Sequence, residues 1–218
     1  NSYWKNAYTD YWSAQSGVAP PKEAEIAYPT TTVYLMDGPP TGVTGSTVTT
    51  TASLTSLPGL TVTQAYSPAN TASGALFKDV VTITNSTAGA LTDVKYVRVM
   101  DWDVPPTEFS EYVTIKGTGT TTLLEESGDN GFNSADPLAS YFNYDPACLT
   151  SDCTDSGTAD HGAYFRFNFG TLAAGASYTF TIFYGAAPTE AAALAAIGSE
   201  SIELYSLGQQ SGDPTGGT

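Results

Sequence analysis

The chain has 218 residues, with 22 acidic residues against 7 basic ones and a formal net charge of −15 at pH 7, so nucleic-acid phosphates and anionic membranes are excluded as main partners. Charged residues make up only 13%, while about 15% are Thr, alongside 21 Gly, 13 Pro and 14 Tyr; this is the composition of a β-rich extracellular protein. With no run of about 18 apolar residues the sequence predicts no transmembrane segment, and with no charged-then-apolar leader at Asn1 a secreted chain is expected in its processed form.

Residues 1–26 read as an extended aromatic and polar N-terminal arm, in which Tyr3, Trp4, Tyr8, Tyr11 and Trp12 stand among polar residues ahead of Pro20 and Pro21. Residues 27–218 read as one domain. Within it, segments rich in Thr, Val and Tyr recur between Gly, Pro and Asn punctuation, which predicts strands over 30–36, 46–53, 60–66, 77–85, 92–102, 112–116, 120–125, 163–169, 177–184 and 202–207. Leu60, Val62 and Gln64 alternate with Thr61 and Thr63, and Phe165, Phe167 and Phe169 with Arg166 and Asn168, so these strands should bury one face. Turns are expected at 85–89 and 172–175. The segment 129–160 reads as a long loop region, and Pro188-Thr189-Glu190 before an Ala-rich run predicts one short helix over 189–197, ended by Gly198. The expected fold is all-β: a two-sheet antiparallel β-sandwich of jelly-roll or Ig-like type.

Cys148 and Cys153 have no neighbouring His or Cys to complete a zinc shell. Outside the cell they are expected to form a disulfide, which restricts the unfolded chain by about 2 kcal/mol; in a reducing compartment they would be two free thiols. His161, the single histidine, lies next to Asp160 just ahead of a predicted strand, and its ring is expected to bond backbone or Asp. Asp101, Asp103, Glu108 and Glu111, with Trp102 and Phe109 between them, form the densest acidic and aromatic cluster, and glycoside hydrolysis needs only two carboxyls. Calcium is a second reading for the acids of the long loop, Asp129, Asn130, Asp136, Asp152, Asp155 and Asp160, although their spacing matches no EF-hand; solvated turn carboxylates are the plain alternative. Tyr141, Phe142 and Tyr144 offer a sugar-stacking platform or loop anchors, and Asn85-Ser86-Thr87 is an N-glycosylation sequon. For 100–109 the expected role is structural: Trp102 plugs one end of the core, Pro105 and Pro106 end ladder pairing, and Asp101 or Asp103 accepts loop hydrogen bonds or pairs with Arg98.

The runs Val80-Val81-Thr82-Ile83-Thr84-Asn85 and Met100-Asp101-Trp102-Asp103-Val104-Pro105-Pro106-Thr107, with the segments 127–132, 159–163, 183–187 and 205–209, resemble a domain family of secreted bacterial cell-surface proteins, some of which carry PEP-type C-terminal sorting signals. The resemblance covers about 60–218. It implies an extracellular or cell-surface location and brings no established catalytic activity; family members usually continue past the counterpart of Thr218 into a further strand and an anchor, so such residues are expected either to be removed in maturation or to be missing from the sequence, and the aromatic arm has no counterpart in the family. The expected function is non-enzymatic and structural, a subunit that polymerises with copies of itself into a surface filament or matrix through its arm. The alternatives are a cell-surface adhesin or carbohydrate-binding module that binds surface glycans, with calcium as a possible stabiliser, and a polysaccharide-acting hydrolase.

Overall fold

The computed structural model describes residues 11–15, 26–27, 47–54, 57–134 and 136–216. Strand chemistry dominates it. β1 (Tyr11–Gln15), β2 (Ile26–Ala27), β3 (Val48–Leu54), β4 (Leu57–Pro68), β5 (Leu76–Asn85), β6 (Thr92–Asp101), β7 (Glu111–Lys116) and β8 (Leu124–Gly128) are followed by a 3-10 turn at Pro146–Cys148. Then come β9 (Cys153–Ala159), β10 (Gly162–Asn168), β11 (Ser177–Gly185), the helix α1 (Glu190–Ser199) and β12 (Tyr205–Gln210). All pairings are antiparallel, in three sheets ordered β1-β6-β10-β8, β11-β5-β4-β3-β2 and β12-β7-β9. The all-β, sandwich-like class expected from composition is thus what the chain adopts. It departs from two sheets by adding a third small one.

The main core forms where Leu60, Val62, Val81 and Ile83 of the five-stranded sheet meet Val94 and Tyr96 of β6, with Phe180 of β11 set edge-on to Tyr96 at 5.1 Å between ring centroids. Alternation along β4 and β5 explains it, because every second side chain turns inward. β6 is different: Val97 and Val99 are also buried, on a second cluster with Tyr164, against which Tyr141 stacks at 5.0 Å. A strand covered on both faces reads as a nearly continuous apolar run. A third cluster, Val113, Ile115, Cys148 and Cys153 with Trp102 and Phe165, belongs to the small sheet.

Several boundaries moved. The strand expected at 120–125 is Leu124–Gly128, because Gly117 at φ 87° starts a turn that Thr120 closes onto the Gly117 carbonyl through both its N–H and its hydroxyl. The strand expected at 202–207 is Tyr205–Gln210. Within the supposed long loop lie the 3-10 turn and β9, whose Thr, Asp, Ser and Gly residues read as loop chemistry but pair with β7. α1 is capped by Thr189, whose hydroxyl accepts the Ala192 N–H at 3.2 Å, and it runs through Gly198 to Ser199. The strand expected at 30–36 lies outside the described residues, as do Tyr3, Trp4 and Tyr8 of the arm. Tyr11–Gln15 forms β1 on the outer edge of β6, in register Tyr11↔Val97, Trp12↔Tyr96 and Ser13↔Lys95.

Among the described residues no helix is long and apolar enough to cross a membrane.

Candidate functional site: an acidic corner

Three strand ends meet at one corner. β6 stops at Asp101, which pairs with Gly162 at the start of β10; β7 begins at Glu111, which pairs with Ala159 at the end of β9. Only Asp160 and His161 connect β9 to β10, so the turn between two sheets carries Asp160 to the place where Asp101 and Glu111 already stand. The Trp102 N–H donates to the His161 carbonyl at 3.1 Å and closes the corner.

Glu111 is fully buried, and its Oε1 accepts the Val104 N–H at 3.3 Å. Its Oε2 has no hydrogen-bond partner, and neither has the buried Oδ1 of Asp101 or of Asp160. Burial raises the Asp101 carboxyl to about 6, reinforced by the negative charges of Asp103, Asp160 and Glu111. Burial likewise raises Glu111, partly offset by its backbone hydrogen bonds, with Asp160 pushing further upward. The Tyr144 phenol is also raised, by desolvation and by the charges of Asp160, Asp101 and Asp129. Such a corner holds negative charge at high cost and can retain a proton near neutral pH or attract a hard cation. Glu108, by contrast, is exposed on the turn that follows Pro105 and Pro106, beside an exposed Phe109. Spacing along the chain groups Glu108 with Asp101; folding groups Asp160 with it instead, and that neighbour is invisible as long as β9 is unrecognised.

Trp102 is half-buried and packs against Gly208, with its indole N–H donating to Ser206 Oγ at 3.1 Å. It seals the small sheet against β10, where the sequence placed it as a core plug. Arg98 lies over the Tyr184 ring at 4.3 Å.

The loop acids suggested for calcium do not gather into one site. Asp129 is fully buried and accepts the backbone N–H groups of Tyr144 and Asp145 at 2.8 and 2.9 Å, while the His161 ring nitrogens lie 3.3 and 3.0 Å from the carbonyl oxygens of Asp129 and Gly157. His161 is therefore a structural tie, as its position beside a strand suggested. Asn130 takes the Phe132 N–H, Asp136 the Leu138 N–H, Asp152 the Thr118 N–H and hydroxyl, and Asp155 the side chains of Thr114 and Gln209. Each holds a different turn or strand end.

Asn85 requires a correction. The side chain is fully buried, and its amide nitrogen donates to the carbonyls of Gly89, Leu172 and Ala173, so in the folded chain it presents no accessible acceptor for a glycan. The Asn-Ser-Thr triplet is a turn in which Asn85 Oδ1 accepts from Thr87. Cys148 and Cys153 form a disulfide with their Cα atoms 5.1 Å apart, joining the 3-10 turn to the first residue of β9. Of the loop aromatics, Tyr141 is an anchor stacked on Tyr164, whereas Phe142 is 60% exposed and meets Tyr144 edge-on.

A cavity of about 560 Å³ opens elsewhere, lined by Phe165 and Phe167 of β10, Phe169 just past its end, Phe180 of β11, Ile197 of α1 and Leu207 of β12. Comparison with family models, curated proteins and solved structures finds no match to any of them.

Proposed function

We propose that this chain is a non-enzymatic structural protein of the bacterial cell exterior, which polymerises with copies of itself through its N-terminal arm. The observation that carries the reading is β1. It is an edge strand held on β6 by backbone pairing. Such an edge strand is exchangeable: the same strand from a neighbour makes the same backbone pairs, and a head-to-tail exchange that does not close generates a fibre. β11 and β8 also end their sheets and add further edges for such contacts. A surface poor in charge and rich in Thr is buried at modest desolvation cost, and a disulfide suits an oxidising exterior.

The test is electron imaging of the native material beside a variant lacking residues 1–20. Fibres that disappear on deletion support the assembly reading; single particles in both samples overturn it.

A second reading, a glycan-binding adhesin, draws on the outward-facing Phe109, Phe132 and Phe142, at 68%, 56% and 60% exposure, since exposed rings stack on sugars. Titrating surface polysaccharides against tryptophan fluorescence tests it, and a silent titration removes it. A hydrolase would instead use the acidic corner as its acid pair, and must release reducing sugar in a manner abolished by Asp101→Asn.

A further inference from the structure

Among the described residues β11 pairs with β5 alone, so its outer side is an open strand edge. At one end of that ladder the Asn85 N–H donates to the Ala176 carbonyl at 3.0 Å, and at the other the Ala186 N–H donates to the Ala75 carbonyl at 3.2 Å. Antiparallel bonding alternates along a strand, so Tyr178, Phe180, Ile182 and Tyr184 are the β11 residues whose backbone groups bond β5. Thr179, Thr181 and Phe183 turn theirs outward. Ser177–Gly185 contains no charged residue and no proline, the devices that usually keep an edge from pairing. The cavity of about 560 Å³ runs along this edge, where Thr181 and Phe183 line it beside the inward Phe180 and Ile182. Its opposite wall is β10, with Phe167 set 6.4 Å from Phe180 between ring centroids. Phe165, Phe167, Phe180 and Ile182 are all only half-buried, although they belong to the core side of their strands. Packed interiors leave few voids larger than a water molecule; an opening of this size, with backbone donors and acceptors along one side and aromatic walls, has the chemistry of a strand-acceptor slot.

We propose that this slot accepts residues 1–10 of a second copy of the chain, added to β11 as an extended strand. The inference rests on the assembly reading and names the surface that receives the arm. A small apolar molecule would fill the cavity but leave the outward N–H and C=O groups of β11 without partners, whereas a peptide strand satisfies both. In strand period Trp4 and Tyr8 fall on one face and Lys5 and Thr9 on the other, so two aromatic side chains enter the apolar slot while the lysine stays outside. Ten residues suffice to cover the nine of β11. Residues 1–10 carry one lysine and one aspartate, with no net side-chain charge, so they approach a chain of net charge −15 without the repulsion that the rest of the surface meets. Each copy then both gives a strand and receives one, and that head-to-tail contact lengthens a fibre.

The experiment mixes two full-length chains, one with the photo-crosslinker benzoylphenylalanine in place of Trp4 and the other isotopically heavy, and maps the cross-links of irradiated fibres by mass spectrometry. Cross-links from the Trp4 position to heavy Phe180, Ile182 or Leu207 are expected. Cross-links confined to the donor's own chain, or to surfaces away from β11, overturn the proposal. Thr181→Pro removes one outward N–H without touching the ladder to β5; it should cut fibre mass at least tenfold while the melting temperature of the single chain stays near that of the parent. Should that variant fail to fold, Ala193→Trp fills the slot from its α1 wall and should have the same effect. Fibres that form undiminished in the folded variants, yet vanish without residues 1–20, overturn the slot and leave the assembly reading standing. Single particles from the parent chain overturn both.

Discussion

At the scale of single residues, the sign of the pH dependence follows from Asp101. Its carboxyl is raised to about 6 in the folded chain from an ordinary value of 3.8, first by burial and then by Asp103, Asp160 and Glu111. Between those two pH values the folded chain holds a proton that the unfolded chain has released, so stability falls as pH rises from about 4 to 6. Tyr144 feels the charges of Asp160, Asp101 and Asp129, and His161 lies against both Asp129 and the Tyr144 ring. Melting temperature should therefore increase on acidification from pH 7 to 5, and Asp101→Asn should flatten that profile and raise stability at pH 7. Trp102 supports a second expectation. A half-buried ring on Gly208 with a hydrogen bond to Ser206 should cost about 2–3 kcal/mol when replaced by Ala, below the loss expected for a fully buried Trp. Urea unfolding measures it.

Elements show where reading by chain order succeeds. β4 and β5 were legible because Leu60, Val62, Val81 and Ile83 alternate with threonines and other half-buried residues, and one buried face imposes that pattern. β9 was not legible, because Cys-Thr-Asp-Ser-Gly-Thr-Ala carries turn residues and little apolar signal; pairing with β7 and the Cys148–Cys153 bridge hold it in place. That dependence is testable. Replacing both cysteines by Ser should destabilise the fold by about 2 kcal/mol, and amide exchange should accelerate first in β9 and in its partner residues Val113 and Ile115. Unchanged protection there would mean that backbone pairing alone suffices. α1 is tied down from outside its own sequence: the Glu200 carboxylate just past its end accepts the N–H groups of Thr71 and Ala72.

For the molecule as a whole, charge and edges act against each other. A net charge of −15 opposes close approach of identical chains, while the edges of β8 and β11 and the exchangeable β1 favour it. Assembly through the arm should therefore be weak at low ionic strength and strengthen as salt screens the repulsion, with light scattering as the readout. If scattering is independent of salt and of the arm, the edge-exchange reading fails at this scale.

By itself, the sequence determined the all-β class, most strand positions, the one capped helix, the nearness of the two cysteines and the acidic charge, because these follow from local periodicity, turn chemistry and composition. Only the tertiary structure decided the third sheet, the pairing of Tyr11–Gln15 with β6, the burial of Asn85 and the meeting of Asp101 and Glu111 with Asp160. Those depend on which strand edges find each other across long stretches of chain, and a residue's partner across a sheet leaves no trace in the residues beside it.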